Sequence, residues 1–361
     1  MLRDELNRDA VGVQLFASVA GESIINYAAG EALAGEEAPL DVDALSPWTC
    51  ATKPVIACLV GALVDDGRIS LDARVADFLS DYRDAPGAAV TVRAILTHTA
   101  GFVSIPRRGF GSGRYGTIDE VVDEVLWSPP RRECVRGGLA QYTVFSGWYV
   151  LGAIIQAVTR VPLDAYVRRA VFEPLGMADS WLAIPPEHWE RLRARISPPT
   201  MQNRGRLTPV RRITKESVAM VCNPATGGLG PMRELAAFFR ELLETWREER
   251  DLLLPPDLLR AMVRPQRPRV MDLWLKRECS YGLGFMTGLE DHGFGTCWSQ
   301  DAFGHAGWPG VWAVCEPARD LVVCLRYNGD PRSHAAATDG RLPPENPTLR
   351  ALVDDLVIEG V

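Results

Sequence analysis

The sequence predicts an α/β (α+β) sandwich: one antiparallel β-sheet flanked by helices, joined to a second, mostly helical lobe. Three observations carry that prediction. β-rich, alternating stretches lie towards both ends of the 361-residue chain. The long segment between them reads as helices, broken by proline pairs at 129–130, 185–186 and 198–199. Strands from the two ends then complete a single sheet only if the middle leaves it and returns. The chain is therefore read as one domain over 1–361, with an α/β lobe at 1–75 and 266–361 and a helical lobe at 76–265. The cleft between lobes is a common place for a ligand.

The elements follow in order. VGVQLFASVA (11–20) alternates and is rich in Val and Phe, so it reads as a strand. SIINYAAG (23–30) is its hairpin partner across Gly21 and Glu22, and a loop rich in Ala, Gly and Glu follows. A helix begins after Cys50 and ends near DDGRIS, where Gly67 suits a C-cap. SGWYVLGAIIQAVT (146–159) is almost wholly apolar, so it should be a buried helix. ELAAFFRELLETWREE (234–249) is amphipathic. After 280 the short runs YGLGFMTG, VWAVCEP and LVVCLRYNG read as the strands of a meander.

Composition narrows the function. At 47% hydrophobic and 24% charged, the chain is ordinary globular material. Its net charge of −7 argues against a nucleic-acid binder. The arginine-rich pieces RLRAR and PVRR are short and read as solvated faces. MLRDELNRDA has no apolar core of a signal peptide, and no stretch reaches the roughly 18–20 apolar residues of a membrane span. The expectation is a soluble, cytoplasmic monomer or homodimer with no membrane partner. The eight cysteines are scattered, with no CxxC pair, and read as reduced and mostly buried, with no metal site.

Three short stretches carry chemistry. In CATK (50–53), Cys50 and Lys53 stand one helical turn apart, which brings the amine near the sulfur. A helix start and a nearby cation both favour thiolate, the reactive form of cysteine. In GGLAQYTVFSGWYVLG, Tyr142 precedes a buried helix and can enter a cleft as a general acid or base if cations lower its pKa. In DAFGHAGWPGVWAV, His305 and Gly307 suggest an edge strand whose backbone N–H groups face an oxyanion.

Taken in order, these stretches resemble one family, the serine β-lactamase and penicillin-binding-protein-like hydrolases. The branch most resembled is the esterases and transacylases related to class C β-lactamases. The likeness extends through KPVIACLVGALVDDGRISLDARVADFL (53–79), AILTHTAGF (94–102), the segment 145–180, ATGGLGPMRELAAF (225–238), YGLGF and FGHAGWPG. It covers roughly 45–330. The resemblance implies a β-lactamase/transpeptidase-like fold. It places Cys50 on the nucleophile, Lys53 on its lysine, Tyr142 on the tyrosine of a Y-x-N element, and His305 on the Lys/His of the third motif. The backbone N–H groups of Cys50 and Trp308 would form the oxyanion hole, with Gly307 in the family's glycine position. His98, in the H-T-S-G element, takes a capping or packing role.

Two departures stand out. The nucleophile is cysteine, and Val144 replaces the asparagine of Y-x-N, which weakens the case for a β-lactam or peptidoglycan peptide as substrate. A thioester reacts far more readily with amines, relative to water, than an ester does. The expected activity is therefore an acyltransferase. An ester or thioester donor acylates Cys50, and an amine or alcohol acceptor, deprotonated by Tyr142 with help from Lys53, takes the acyl group. His305 tunes Tyr142 and helps orient donor or acceptor. No cofactor is implied. Relatives in antibiotic pathways suggest natural-product assembly, including capuramycin-type nucleosides. The aromatic and arginine-rich stretches 107–136 and 265–312 suit a bulky polar substrate, with Val144, Gly307, Trp274, Trp298, Trp308 and Trp312 as candidate contacts. A cysteine-dependent esterase or amidase is the alternative. A non-catalytic module that binds β-lactams or peptides is a further one.

Overall fold

The computed structural model describes residues 10–107, 116–203, 206–211 and 215–329. Residues 1–9 and 330–361 of the expected α/β lobe, 108–115 of the stretch 107–136, and position 212 of PVRR lie outside the described residues.

β1 (Ala10–Val19) and β2 (Glu22–Leu33) form the expected hairpin. Its turn sits one residue earlier than predicted: Ala20 and Gly21 both take positive φ, 49° and 77°, and Val19 pairs with Glu22. Two left-handed residues match the right-handed twist of the strands they join. The predicted loop after residue 30 is instead a continuation of β2, which turns back at Gly35 into β3 (Glu36–Pro39). Ala, Gly and Glu are weak strand formers, but pairing with β3 outweighs propensity there.

β4 (Ser46–Pro47) leads into the turn that carries Cys50, then helix α1 (Lys53–Asp65). Pro54 suits the first turn, and Gly67, with φ +68°, ends the helix region as predicted. α2 (Ser146–Thr159) falls on the predicted residues and buries its first ten. Each fully buried Leu, Val or Ile there stabilises by about 1.5–3 kcal/mol. A small hairpin, β5 (Thr200–Asn203) with β6 (Arg206–Pro209), and β7 (Leu229–Gly230), which pairs with β4, interrupt the helical segment. α3 (Met232–Trp246) belongs by sequence to the stretch 76–265, yet it packs on β1 and on the strands described next.

β8 (Arg267–Asp272), β9 (Arg277–Tyr281), β10 (Met286–Thr287), β11 (Phe303–Gly307), β12 (Val311–Glu316) and β13 (Leu321–Gly329) complete the sheet. Its order is β3-β2-β1-β13-β12-β11-β10-β9-β8, antiparallel throughout. N- and C-terminal strands thus meet at β1 and β13. The mixed fold, a large antiparallel sheet flanked by helices, is the one the sequence predicts. One run departs from it: YGLGF is not a strand but the end of β9 plus a tight turn. Gly284 there has φ +83°, and a Cβ on it would lie 2.4 Å from that of Ala57. The turn is pressed onto α1, a fit only glycine allows.

All eight cysteines are free; Cys50, Cys222 and Cys297 are half-buried and the others buried. Among the described residues, no single helix is long and apolar enough to cross a membrane.

Candidate active site

The nucleophile turn is fixed from behind. Trp48 is fully buried, donates its backbone N–H to Gly228 O at 2.8 Å, and donates its indole N–H to Gly230 O at 3.1 Å. Thr52 Oγ1 accepts from the Gly228 N–H at 2.9 Å. Between them the chain makes a 3-10 turn over Thr49–Thr52, with Thr49 at φ 48°. A β-branched residue in the left-handed region stores strain and marks a tightly determined site. The turn buries Thr49, Ala51 and Thr52 and leaves Cys50 half-exposed.

Lys53 follows at the start of α1 and is fully buried. Its Nζ donates to Val144 O at 3.1 Å and to Ala225 O at 3.0 Å, and Cys50 is the group near enough to pull on its charge. Burial pushes its pKa below the usual lysine range, against the opposing pull of Cys50. The stoichiometry is informative. A neutral amine has two N–H donors, which the two carbonyls use, and a lone pair that faces the thiol. An ammonium has a third donor for a thiolate. One proton can therefore pass between sulfur and nitrogen with no other bond rearranged.

The segment 142–144 is held at nearly every backbone group. Tyr142 N–H donates to Asp272 Oδ1 at 3.0 Å, and Tyr142 O accepts from Ser104 Oγ at 2.8 Å. Thr143 N–H donates to His98 Nδ1 at 3.1 Å. Val144 N–H donates to Ser104 Oγ at 3.1 Å, and Val144 O takes the lysine. Position 144 thus anchors Lys53 through its carbonyl, which valine supplies as well as asparagine does. The Tyr142 phenol stands beside Cys50, and its ring lies 5.3 Å from Lys53 Nζ. Nearby cations would lower its pKa. Burial overrides them, with the Cys50 charge adding to the effect, and holds the phenol well above its usual range. Tyr142 is a protonated acid in the free site.

β11 closes the other side. Its side chains alternate, so Phe303, His305 and Gly307 share one face. A Cβ on Gly307 would lie 2.3 Å from both Thr49 Oγ1 and Trp48 O, so the strand end is pressed against the nucleophile turn. His305 is fully buried, its ring 6.3 Å from that of Tyr142. Its Nδ1 lies 2.7 Å from Ala306 O; since a carbonyl only accepts, Nδ1 carries the proton and Nε2 is a lone-pair acceptor. Burial, with Lys53 nearby, keeps the imidazole neutral, its pKa well below the ordinary value. His98 is neutral for the same first reason and packs 4.5 Å from the Tyr142 ring.

Cys50, Lys53, Tyr142 and His305 therefore converge, with Val144 and Gly307 beside them. The four tryptophans divide. Trp308 and Trp274 are 42% and 41% exposed. Trp298 is half-buried and donates its indole N–H to Phe294 O at 2.9 Å. Trp312 pairs with Ala306, so its ring lies on the sheet face opposite His305, where it packs 5.0 Å from Phe294. Sequence reasoning passed over Ser104, Asp272 and the Ala225 carbonyl. Each acts through backbone atoms far away in sequence, and no residue pattern signals that. The position of His98 inside a motif was the one available hint.

Comparison with known proteins accords with this geometry. The family model described as Beta-lactamase matches residues 2–343. Esterase EstB of Burkholderia gladioli is 34% identical over 196 residues, which is 49% of this chain and 48% of that protein. The chain thus spans about half the length of that relative. Among solved structures, a family VIII carboxylesterase superposes with a TM-score of 0.77 at 21% identity, covering 100% of this chain and 94% of its own. EstCE1, a hydrolase with promiscuous acyltransferase activity, superposes with a TM-score of 0.75 at 16% identity, covering 98% and 96%.

Proposed function

The chain belongs to the beta-lactamase family, and from that premise we propose that it is an acyltransferase working through a thioester on Cys50. The carrying observation is that one half-exposed sulfur meets both a buried amine and a protonated phenol. In acylation the thiol proton passes to neutral Lys53, and the thiolate attacks the donor carbonyl. The backbone N–H groups of Cys50 and Trp308 receive the oxyanion, a role supported by the contact of Gly307 with the nucleophile turn. Attack forms the C–S bond, and collapse of the tetrahedral intermediate breaks the C–O bond. The departing alkoxide takes the Tyr142 proton, which Lys53 replaces. The net change is thiol plus ester giving thioester plus alcohol.

Acid assistance matters more for sulfur than for oxygen. A thiolate is a weaker base than an alkoxide, so an unassisted tetrahedral intermediate expels the sulfur and returns to substrate. Tyr142, kept protonated by burial, prevents that. In transfer the path reverses. The acceptor attacks the thioester, its proton moves through Tyr142 to Lys53, and the sulfur recovers one. Amines attack thioesters readily relative to water, which favours transfer over hydrolysis.

A cysteine-dependent esterase is the second reading, favoured by the esterase among the relatives. Cys50→Ser separates the two, since acylation should persist while the amide-to-acid ratio falls. An unchanged ratio would overturn the role given to sulfur.

A further inference from the structure

The most constrained feature near the site outside the four converging side chains is a buried ion pair. Arg267 Nη1 donates to Asp272 Oδ2 at 3.1 Å, and both side chains are almost fully buried, at 2% and 0% exposure. Two charges withdrawn from water need partners, and here each terminal guanidinium nitrogen and both carboxylate oxygens have them, with Arg267 Nε the one nitrogen left over. Arg267 Nη2 donates to Cys279 O at 3.1 Å, and its guanidinium lies 4.7 Å from the ring centre of Tyr281. Asp272 Oδ1 accepts three backbone N–H groups, from Trp274 at 3.0 Å, Leu275 at 3.1 Å and Tyr142 at 3.0 Å. The first two close a local turn. The third reaches across 130 residues to the backbone of the proton donor.

One oxygen shared by three donors calls for the full charge of a carboxylate. The charge is held in place by the arginine fork, and Arg267 is itself locked by strand β9. The other side-chain holds on the 142–144 segment are His98, which accepts from Thr143 N–H, and the Ser104 hydroxyl, which donates to Tyr142 O and accepts from Val144 N–H. Asp272 is the side chain that takes the Tyr142 N–H itself, while the two residues before it are held through backbone, Gln141 N–H by His98 O at 2.9 Å and Ala140 N–H by Met271 O at 3.0 Å. With the backbone bridge of Ala140 to the end of β8, it ties the tyrosine segment to the sheet whose β11 carries His305 and Gly307.

We propose that the Asp272–Arg267 pair positions the Tyr142 hydroxyl at Cys50, and so sets how efficiently the enzyme protonates a departing alkoxide. Asp272 touches no reacting atom; it is a positioning residue. The proposal rests on the acyl-Cys50 reading given above.

The two claims predict different things about leaving groups. A p-nitrophenyl ester departs as a stabilised phenolate and needs no proton from Tyr142. A methyl ester of the same acyl group does need one. Acylation of Cys50 is followed by quenched-flow mass spectrometry with both esters, in wild type, Asp272→Asn and Arg267→Lys. In Asp272→Asn, acylation by the methyl ester should fall by about 10²-fold, the usual reach of general-acid catalysis, while the p-nitrophenyl ester stays within a few-fold of wild type. Removing one partner of a buried pair is strongly destabilising, so Arg267→Lys, which keeps the charge and loses the fork, is run in parallel. It should show the same selective loss, smaller in size. Equal losses with both esters in whichever variant folds, or no loss with either, overturn the proposal and leave the acyl-Cys50 reading intact. Failure of both esters to mark Cys50 in the wild type overturns that reading and the proposal with it.

Discussion

Gly307→Ala is the sharpest small perturbation of this site. The backbone at 307 is not in the left-handed region, so alanine meets no conformational penalty there; the effect is one of space. The new Cβ would lie 2.3 Å from Thr49 Oγ1 and from Trp48 O, where ordinary contact starts at 3.4 Å. The Trp48 carbonyl cannot turn aside, because its residue is pinned through the backbone to Gly228 and through the indole to Gly230. Strand end and nucleophile turn must part by about 1 Å. Overpacking of this kind costs about 1–3 kcal/mol, a drop of about 1–4 °C in Tm for a chain this size. A 1 Å misplacement of reacting groups costs about 10²-fold in rate. Rapid-quench mass spectrometry of Cys50 acylation should therefore show a loss near two orders of magnitude in a folded protein. Alkylation of the same thiol by iodoacetamide, which needs no oxyanion hole, should change little. Acylation within about 3-fold of wild type would refute the close packing of β11 on the turn as the source of the geometry.

Lys53→Met should slow both acylation and alkylation of Cys50, by about 10²–10⁴-fold for acylation; iodoacetamide labelling that stays at the wild-type rate would remove Lys53 as the base. Acid should weaken the fold. His98, His292 and His305 are buried and neutral, with pKa values below the ordinary 6.5, that of His292 lowered to about 3. The unfolded chain then takes up protons first, so this stability is full above about pH 6.5 and is lost as pH falls towards the native values. His292 alone accounts for about 2 kcal/mol by pH 5, and urea titrations at pH 7 and pH 5 that agreed would contradict it. On the alkaline side, acylation by alkyl esters should hold its plateau through the ordinary tyrosine range, because Tyr142 ionises well above it. A decline near pH 10 that disappears in Tyr142→Phe would show the phenol to be unshifted.

The parts of the fold legible in the sequence were those in which side chains encode their own environment. The apolar run that became α2 and the β-branched run that became β1 declare themselves by pattern. β2 was read too short because its far half is held by backbone pairing rather than by residue type. YGLGF was read as a strand because glycine and apolar residues alternate there, although two of its glycines serve a turn pressed against α1. The same division runs through the site. Cys50, Lys53, Tyr142 and His305 were visible as residue types in order, because their chemistry is in their side chains. Asp272 and Ser104 act by holding backbone, the carbonyls of Val144 and Ala225 by holding the Lys53 amine, and only the folded chain brings them near. The sequence left Tyr142 open as acid or base for a related reason: burial, which raises its pKa, is a property of the fold.

The central claim is that acyl groups pass through Cys50 to an acceptor in preference to water. Its most direct measurement follows the intact mass of the protein after exposure to a simple thioester, with and without an added amine, and maps any adduct by peptide. The account predicts an acyl adduct on Cys50 that clears faster as amine is added, with amide appearing in step. An adduct elsewhere, or one on Cys50 that clears at the same rate with and without amine and yields only acid, would contradict it.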